Sequence, residues 1–240
     1  MLSAILAVSA HAQGGPPLVT DDPDTPGNGN WEINAAIIGA KHQRHWDLAA
    51  PDLDINYGWG DHVQLKVDVS WASEDSEHDR RMSGFGATDF GVKWRFVDQE
   101  RAGFALSVYP QLLTNLSPSS AARGLTTNNR EFLLPIEIAT ESGEFKFDAE
   151  VGRNFIQRGS DAWVAGVIVA HPCGPNFECG FELHSVLTER QLEPLVNFGV
   201  HWQIVKHVIL LAAAGREFGA GTESSQGFLF YFGFQLLRES

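Results

Sequence analysis

The chain has 240 residues, 43% of them hydrophobic and 20% charged, with a formal net charge of −13. That length allows one β-barrel, one large sandwich or two small domains. The acidic balance excludes a nucleic-acid partner, which needs a basic surface. No apolar run after the N-terminus approaches the roughly 18 residues of a membrane-spanning helix. A membrane barrel stays open, because its alternating strands keep mean hydropathy near that of soluble proteins.

The first residues, MLSAILAVSAHAQ, have the form of a secretory signal. Leu2 to Ala10 is a short apolar region, and Ala10-His11-Ala12 is a small-x-small cleavage site before Gln13. Residues 1–12 therefore read as a signal peptide whose basic start is missing; the competing reading is a buried N-terminal strand. Residues 13–30, QGGPPLVTDDPDTPGNGN, hold too much Pro, Gly and Asp for a helix or a central strand. They are expected to form an extended periplasmic lead-in. Asp21, Asp22 and Asp24 have the composition of a cation site, but Asp before Pro is first a turn former.

From Trp31 onward apolar and polar residues alternate with period two, the pattern of strands with two unlike faces. In HVQLKVDVSW, Val63, Leu65, Val67, Val69 and Trp71 share one face, and Gln64, Lys66, Asp68 and Ser70 the other. Twelve segments of this kind are expected, over 31–41, 50–59, 62–72, 85–97, 102–114, 130–140, 144–154, 162–170, 178–187, 194–204, 207–216 and 226–237. Most have the about 9–11 residues of a tilted membrane strand. Short connections, such as Gly60-Asp61 and Glu141-Ser142-Gly143, alternate with long ones, such as 73–84 and 115–129. Membrane barrels show this rhythm of short periplasmic turns and longer outer loops. The turn from Pro172 to Phe177 is long for its class. Trp31, Trp59, Trp94 and Trp202 fall near one end of their strands, Trp71 and Trp163 near the other, as lipid–water boundaries favour. The fold expected is a single all-β antiparallel transmembrane barrel of about twelve strands over 31–240, with a soluble two-sheet sandwich as the alternative.

The barrel frame assigns the faces. Leu65, Val67, Phe147, Phe228, Phe230, Phe232 and Phe234 are expected to face lipid. Asp54, Asn56, Gln64, Lys66, Asp68, Lys93, Arg95 and Glu137 are expected to line the interior. So are Lys146, Asp148, Glu150, Glu182, Asn197, His201 and Gln203. Their mixed charges must pair or stay wet, which leaves either a salt-bridged filling or a narrow hydrated pore. Cys173 and Cys179 flank a Gly-Pro turn and read as a disulfide, with a metal site that adds His171 and His184 as the lesser alternative. Otherwise no metal or cofactor is expected. Ser185 beside His184, or His201 across neighbouring strands, is the nearest approach to a nucleophile and base, but no G-x-S-x-G is present and no enzyme is expected.

The order Gln226, Gly227, Phe230, Phe232 resembles the C-terminal assembly signal of bacterial outer membrane barrels, although the chain runs on to Ser240. PPLVTDDPDTPGNGNWEINAA, DLDINYGWGDHVQLKVDVSW, GVKWRF and LSVYPQL resemble a family of outer membrane barrels named for a link to the meta-pathway of phenol degradation. The resemblance is strongest from Pro16 to Leu112. It implies an exported barrel in the outer membrane of a Gram-negative bacterium and a channel for small solutes, hydrophobic or aromatic ones among them. Its partners would be membrane lipids, the solute, and the barrel-assembly machinery at the last strand. The alternatives are a non-conducting structural barrel and, less favoured, a lipid hydrolase.

Overall fold

The computed structural model describes residues 15–41, 45–76, 82–189, 191–218 and 227–239. The expected signal peptide lies outside these residues, as does 77–81 within the charged run of the first long loops. Thirteen strand segments form one antiparallel sheet: β1 (Trp31–Lys41), β2 (His45–Trp59), β3 (Val63–Ser76), β4 (Met82–Val97), β5 (Phe104–Val108), β6 (Gln111–Thr114), β7 (Glu131–Ser142), β8 (Phe145–Ile156), β9 (Ala162–Gly174), β10 (Phe177–Leu187), β11 (Leu192–Val205), β12 (Val208–Glu217) and β13 (Phe228–Arg238).

β5 and β6 are halves of one stave. Tyr109-Pro110 separates them, and a proline has no N–H to donate to a ladder. Both halves pair with β4 on one side and β7 on the other. The barrel therefore has twelve staves. It closes by pairing β1 with β13, in register from Trp31–Arg238 to Lys41–Phe228. Closure leaves no strand edge exposed, the condition for backbone in hydrocarbon, where no water can satisfy a free N–H or C=O.

The connections alternate as the sequence suggests. At one end lie tight turns at Gly60 (φ +66°) and Gly143 (φ +65°), the one-turn helix α1 (Gln99–Ala102), Pro175-Asn176 and Lys206-His207. At the other end are 115–130 with its short helix α2 (Pro118–Ala121) and 157–161, and there β10 and β12 end and β11 and β13 begin. Among the boundaries that differ from the sequence reading, β2 starts at His45 rather than at 50, and two connections are shorter than expected. Strands β3 and β4 run to Ser76 and from Met82, so the loop expected over 73–84 is mostly ladder. The long turn expected over Pro172–Phe177 is a two-residue turn, because β9 continues to Gly174 opposite Phe177. Inside that hairpin Cys173 and Cys179 are disulfide-bonded, with Cα atoms 5.9 Å apart.

The outer surface is an apolar belt. Leu65, Val67, Phe147, Phe228, Phe232 and Phe234 are all exposed. Phe230 shares their face but is half-buried, because its ring lies over Gly39 and against Trp46, 6.1 Å away. The end-placed tryptophans Trp31, Trp59, Trp94, Trp202, Trp71 and Trp163 are exposed as well. A chain in water would bury such residues; a chain in lipid presents them.

Candidate functional site: the barrel lumen

Every second residue of a stave points inward, so inner positions follow directly from the strand pattern. Asp54, Asn56, Gln64, Lys93, Glu137, Asp148, Glu182 and Asn197 are buried. Lys66, Asp68, Arg95, Lys146, Glu150, His201 and Gln203 are partly buried. The wall adds inner residues outside the expected lining set: Glu32, Asn34, Asp52, Tyr109, Tyr231 and Asp89, the last already on the polar face of its strand pattern. Glu32 and Asn34 were legible, since WEIN alternates like the later strands. Tyr109 was not, because it sits at the break before Pro110.

The lumen is filled by the chain's own N-terminal segment. The lead-in expected outside the barrel over 13–30 is instead, from Gly15 to Asn30, a strap that enters at the short-turn end and folds back inside. At the rim it adds backbone bonds to β2, with Gly29 N donating to Gly58 O (2.9 Å) and Gly58 N to Asn30 O (3.0 Å). Arg95 Nη1 holds Asp24 Oδ1 at 3.0 Å. Deeper, Lys93 Nζ meets Asp21 Oδ1 at 2.8 Å, Glu137 Oε2 at 3.7 Å and Asp22 Oδ1 at 3.9 Å, and donates to the Asp22 carbonyl. Lys93 also lies 4.7 Å from the centre of the Tyr109 ring. Deepest, Val19 N and Thr20 N both donate to the Glu182 carboxylate, which also accepts from Asn197 Nδ2 at 3.0 Å.

Burial pushes the Asp22 carboxyl well above the usual carboxylate range, with Lys93 opposing it. At Asp21 the same burial is outweighed by the Lys93 and Lys66 ammonium groups, and the carboxyl lies below that range. The turn-former reading of the acidic cluster holds at Asp22, and the cluster has an ionic role the sequence did not suggest. Asp22 Oδ1 does accept from Asp24 N (2.7 Å), as a turn former would, but Asp21 and Asp24 serve as the strap's ionic anchors.

Glycines on the inner wall make room for the strap. A Cβ added at Gly58 would stand 1.8 Å from Gly27 O, and one at Gly199 would stand 2.8 Å from the Leu18 side chain. These positions read from the sequence as ordinary strand glycines; what they make room for is distant in sequence.

Carboxylates dominate the wall. Glu32, Asp52, Asp54, Asp68 and Asp89 line β1 to β4, and Asp148, Glu150, Glu178 and Glu182 line β8 to β10. Against them stand Lys66, Lys93, Arg95 and Lys146, the last 2.9 Å from Glu178. His184 Nε2 lies 3.5 Å from Glu150 and His201 Nδ1 lies 4.0 Å from Glu178. Ser185 follows His184 in a strand, so the two project to opposite faces and cannot form a nucleophile–base pair. The alternative metal site fails likewise: both sulfurs are bonded to each other and His184 is inside the barrel.

The same architecture recurs in solved structures. A KdgM porin superposes with a TM-score of 0.61 at 11% identity, covering 87% of this chain and 99% of that one. A NanC porin gives 0.57 at 8% identity, covering 87% and 100%. The CymD monoaromatic hydrocarbon channel gives 0.53 at 10%, covering 89% and 90%. No family model and no curated protein matches the chain. The chain thus has the fold of outer membrane porins and channels; the phenol-pathway family itself is not identified by these likenesses.

Proposed function

We propose that the chain is an outer membrane channel for passive passage of small solutes, with its short-turn end and strap facing the periplasm. The observation that carries this reading is how the lumen is filled. The strap is held mainly by ion pairs and a few backbone bonds against a polar wall, with Leu18 packed on the small apolar cluster of Ala36, Leu211, Ala213 and Tyr231. Ion pairs and backbone bonds can exchange partners with water, so the filling can leave at the cost of exposing only the small patch beneath Leu18. The excess of wall carboxylates favours neutral and cationic solutes over anions. Leu18, Ile38, Ala213 and Tyr231 form an apolar patch beside them, which supports hydrophobic or aromatic solutes, and CymD, named as a channel for monoaromatic hydrocarbons, has the same fold. Lipid would meet the outer belt, and the assembly machinery would engage β13.

The strap also gives the structural reading its one supporting observation, since a filled barrel anchors without conducting. Single-channel recording in planar bilayers separates the two. The native chain should give brief, small steps that change when a monocyclic aromatic solute is added. A chain with residues 15–24 replaced by Gly and Ser at equal length should give larger, sustained steps. Silence from both, in protein whose heat-modifiable migration on a gel shows that it is folded, would leave the structural barrel as the function.

A further inference from the structure

Three aspartates stand side by side on the inner wall. Asp54 of β2 faces Asp68 of β3, and Asp68 faces Asp89 of β4. Like charges directly opposite in a sheet are destabilising, and Asp52 adds a fourth carboxylate two residues from Asp54. The cation among them is Lys66, whose Nζ lies 3.9 Å from Asp54 and 3.8 Å from Asp89. One ammonium cannot balance four ionised carboxylates at a site where unpaired buried charge is costly, so the cluster holds protons or takes a further cation.

Asp52, Asp54 and Asp68, with Lys66 among them, border a partly enclosed cavity of about 150 Å³. Its opposite side is apolar, formed by Ile38, Ala213 and Leu229, and the strap from Pro16 to Val19 closes it. One buried polar atom at the cavity, Tyr231 Oη on a residue 8% exposed, has no hydrogen-bond partner, and Asp54 Oδ1 has only the Lys66 ammonium 3.9 Å away. Charge on one side, hydrocarbon on the other and an unsatisfied phenol hydroxyl describe a binding site rather than a packing defect.

We propose that this cavity binds a small organic cation: a protonated amine on a single ring or a short alkyl body. The ammonium group would donate to the Asp54 and Asp68 carboxylates and approach Tyr231, while the body packs on Ile38, Ala213 and Leu229. The size fits, since an apolar cavity of about 150 Å³ admits a benzene-sized group. A bare metal ion fits poorly, because no three His, Cys, Asp or Glu side chains among the described residues converge to ligate one. An anion would be repelled, and a neutral solute would bring the carboxylates no further counter-charge.

The inference deepens the channel reading by naming its solute class, and rests on that reading only for passage, not for binding. Isothermal titration of the folded protein in detergent micelles, with empty micelles as blank, tests it using benzylamine, benzyl alcohol and benzoate. Benzylamine should bind at a single site about tenfold or more tighter than benzyl alcohol, as a charge-assisted hydrogen bond implies, and benzoate should not bind. Asp54→Asn with Asp68→Asn should remove that tenfold preference. Ala213→Leu, which fills the cavity and leaves every charge in place, should abolish aromatic amine binding. Equal affinity for the amine and the alcohol, no amine binding by a folded barrel, or binding that survives both changes would overturn the site. Binding by a barrel that stays silent in bilayers would reject passage and keep the site; currents without binding would do the reverse.

Discussion

Lys93 sits where the wall meets the strap. It is 1% exposed, and its ammonium group serves Asp21, Asp22 and Glu137 together. A buried cation with several acidic partners is costly to remove, because the partners are then left as uncompensated charges. Lys93→Met should destabilise the barrel by about 3 kcal/mol, read as a lower urea midpoint of tryptophan fluorescence in lipid vesicles. It should also speed proteolysis of residues 15–24, since the strap loses its central anchor. An unchanged midpoint and an intact strap would mean that Glu182 and Arg95 suffice. Alternation identified Lys93 as an inner residue. Its partners in the strap could not be read, because Asp21 and Asp22 lie 72 and 71 residues away in a segment with no strand pattern.

At the scale of elements, the strands divide cleanly into two faces, and β13 shows how. Phe228, Phe232 and Phe234 look outward while Tyr231 and Gln235 are buried on the lumen side. Phe232 pairs with Ile37 and Ala212 in the neighbouring staves, near the middle of the strand. A charge at mid-depth on the lipid face costs about 2–4 kcal/mol, so Phe232→Arg should lower folding stability in lipid by that amount. Urea titration in vesicles measures it; no loss would place Phe232 outside the hydrocarbon layer. The strap is the contrasting element. Its Pro, Gly and Asp content correctly ruled out helix and strand, but the same composition suits a tail in water and a loop laid along a polar wall.

For the whole molecule, the decisive quantity is the charge balance of the lumen. Carboxylates outnumber Lys66, Lys93, Arg95 and Lys146 on the wall, in a chain whose total net charge is −13. A narrow lumen of one sign concentrates counter-ions. The strap-replaced chain, recorded across a KCl gradient, should therefore show a reversal potential of cation-preferring sign. Raising salt from about 0.1 M to about 1 M shortens the screening length from about 10 Å to about 3 Å and should reduce the preference. An anion-preferring potential would show that Lys66 and Lys146, not the carboxylates, control the pore.

The sequence by itself determined the staves, their two faces, the rhythm of short and long connections and the Cys173–Cys179 pair. Each of these is local: period two is written into every strand, and a hairpin's partners are neighbours in the chain. Two of the boundary differences, at Ser76 and Gly174, arose where a ladder continues through residues that look like turn formers. Only the tertiary structure decided what occupies the interior. Val19 and Glu182 meet across 163 residues of sequence, and the row of Asp54, Asp68 and Asp89 exists only because three strands share one register. Closing the barrel turns scattered inward residues into one wall, and space inside that wall, unlike a strand face, belongs to no single stretch of chain.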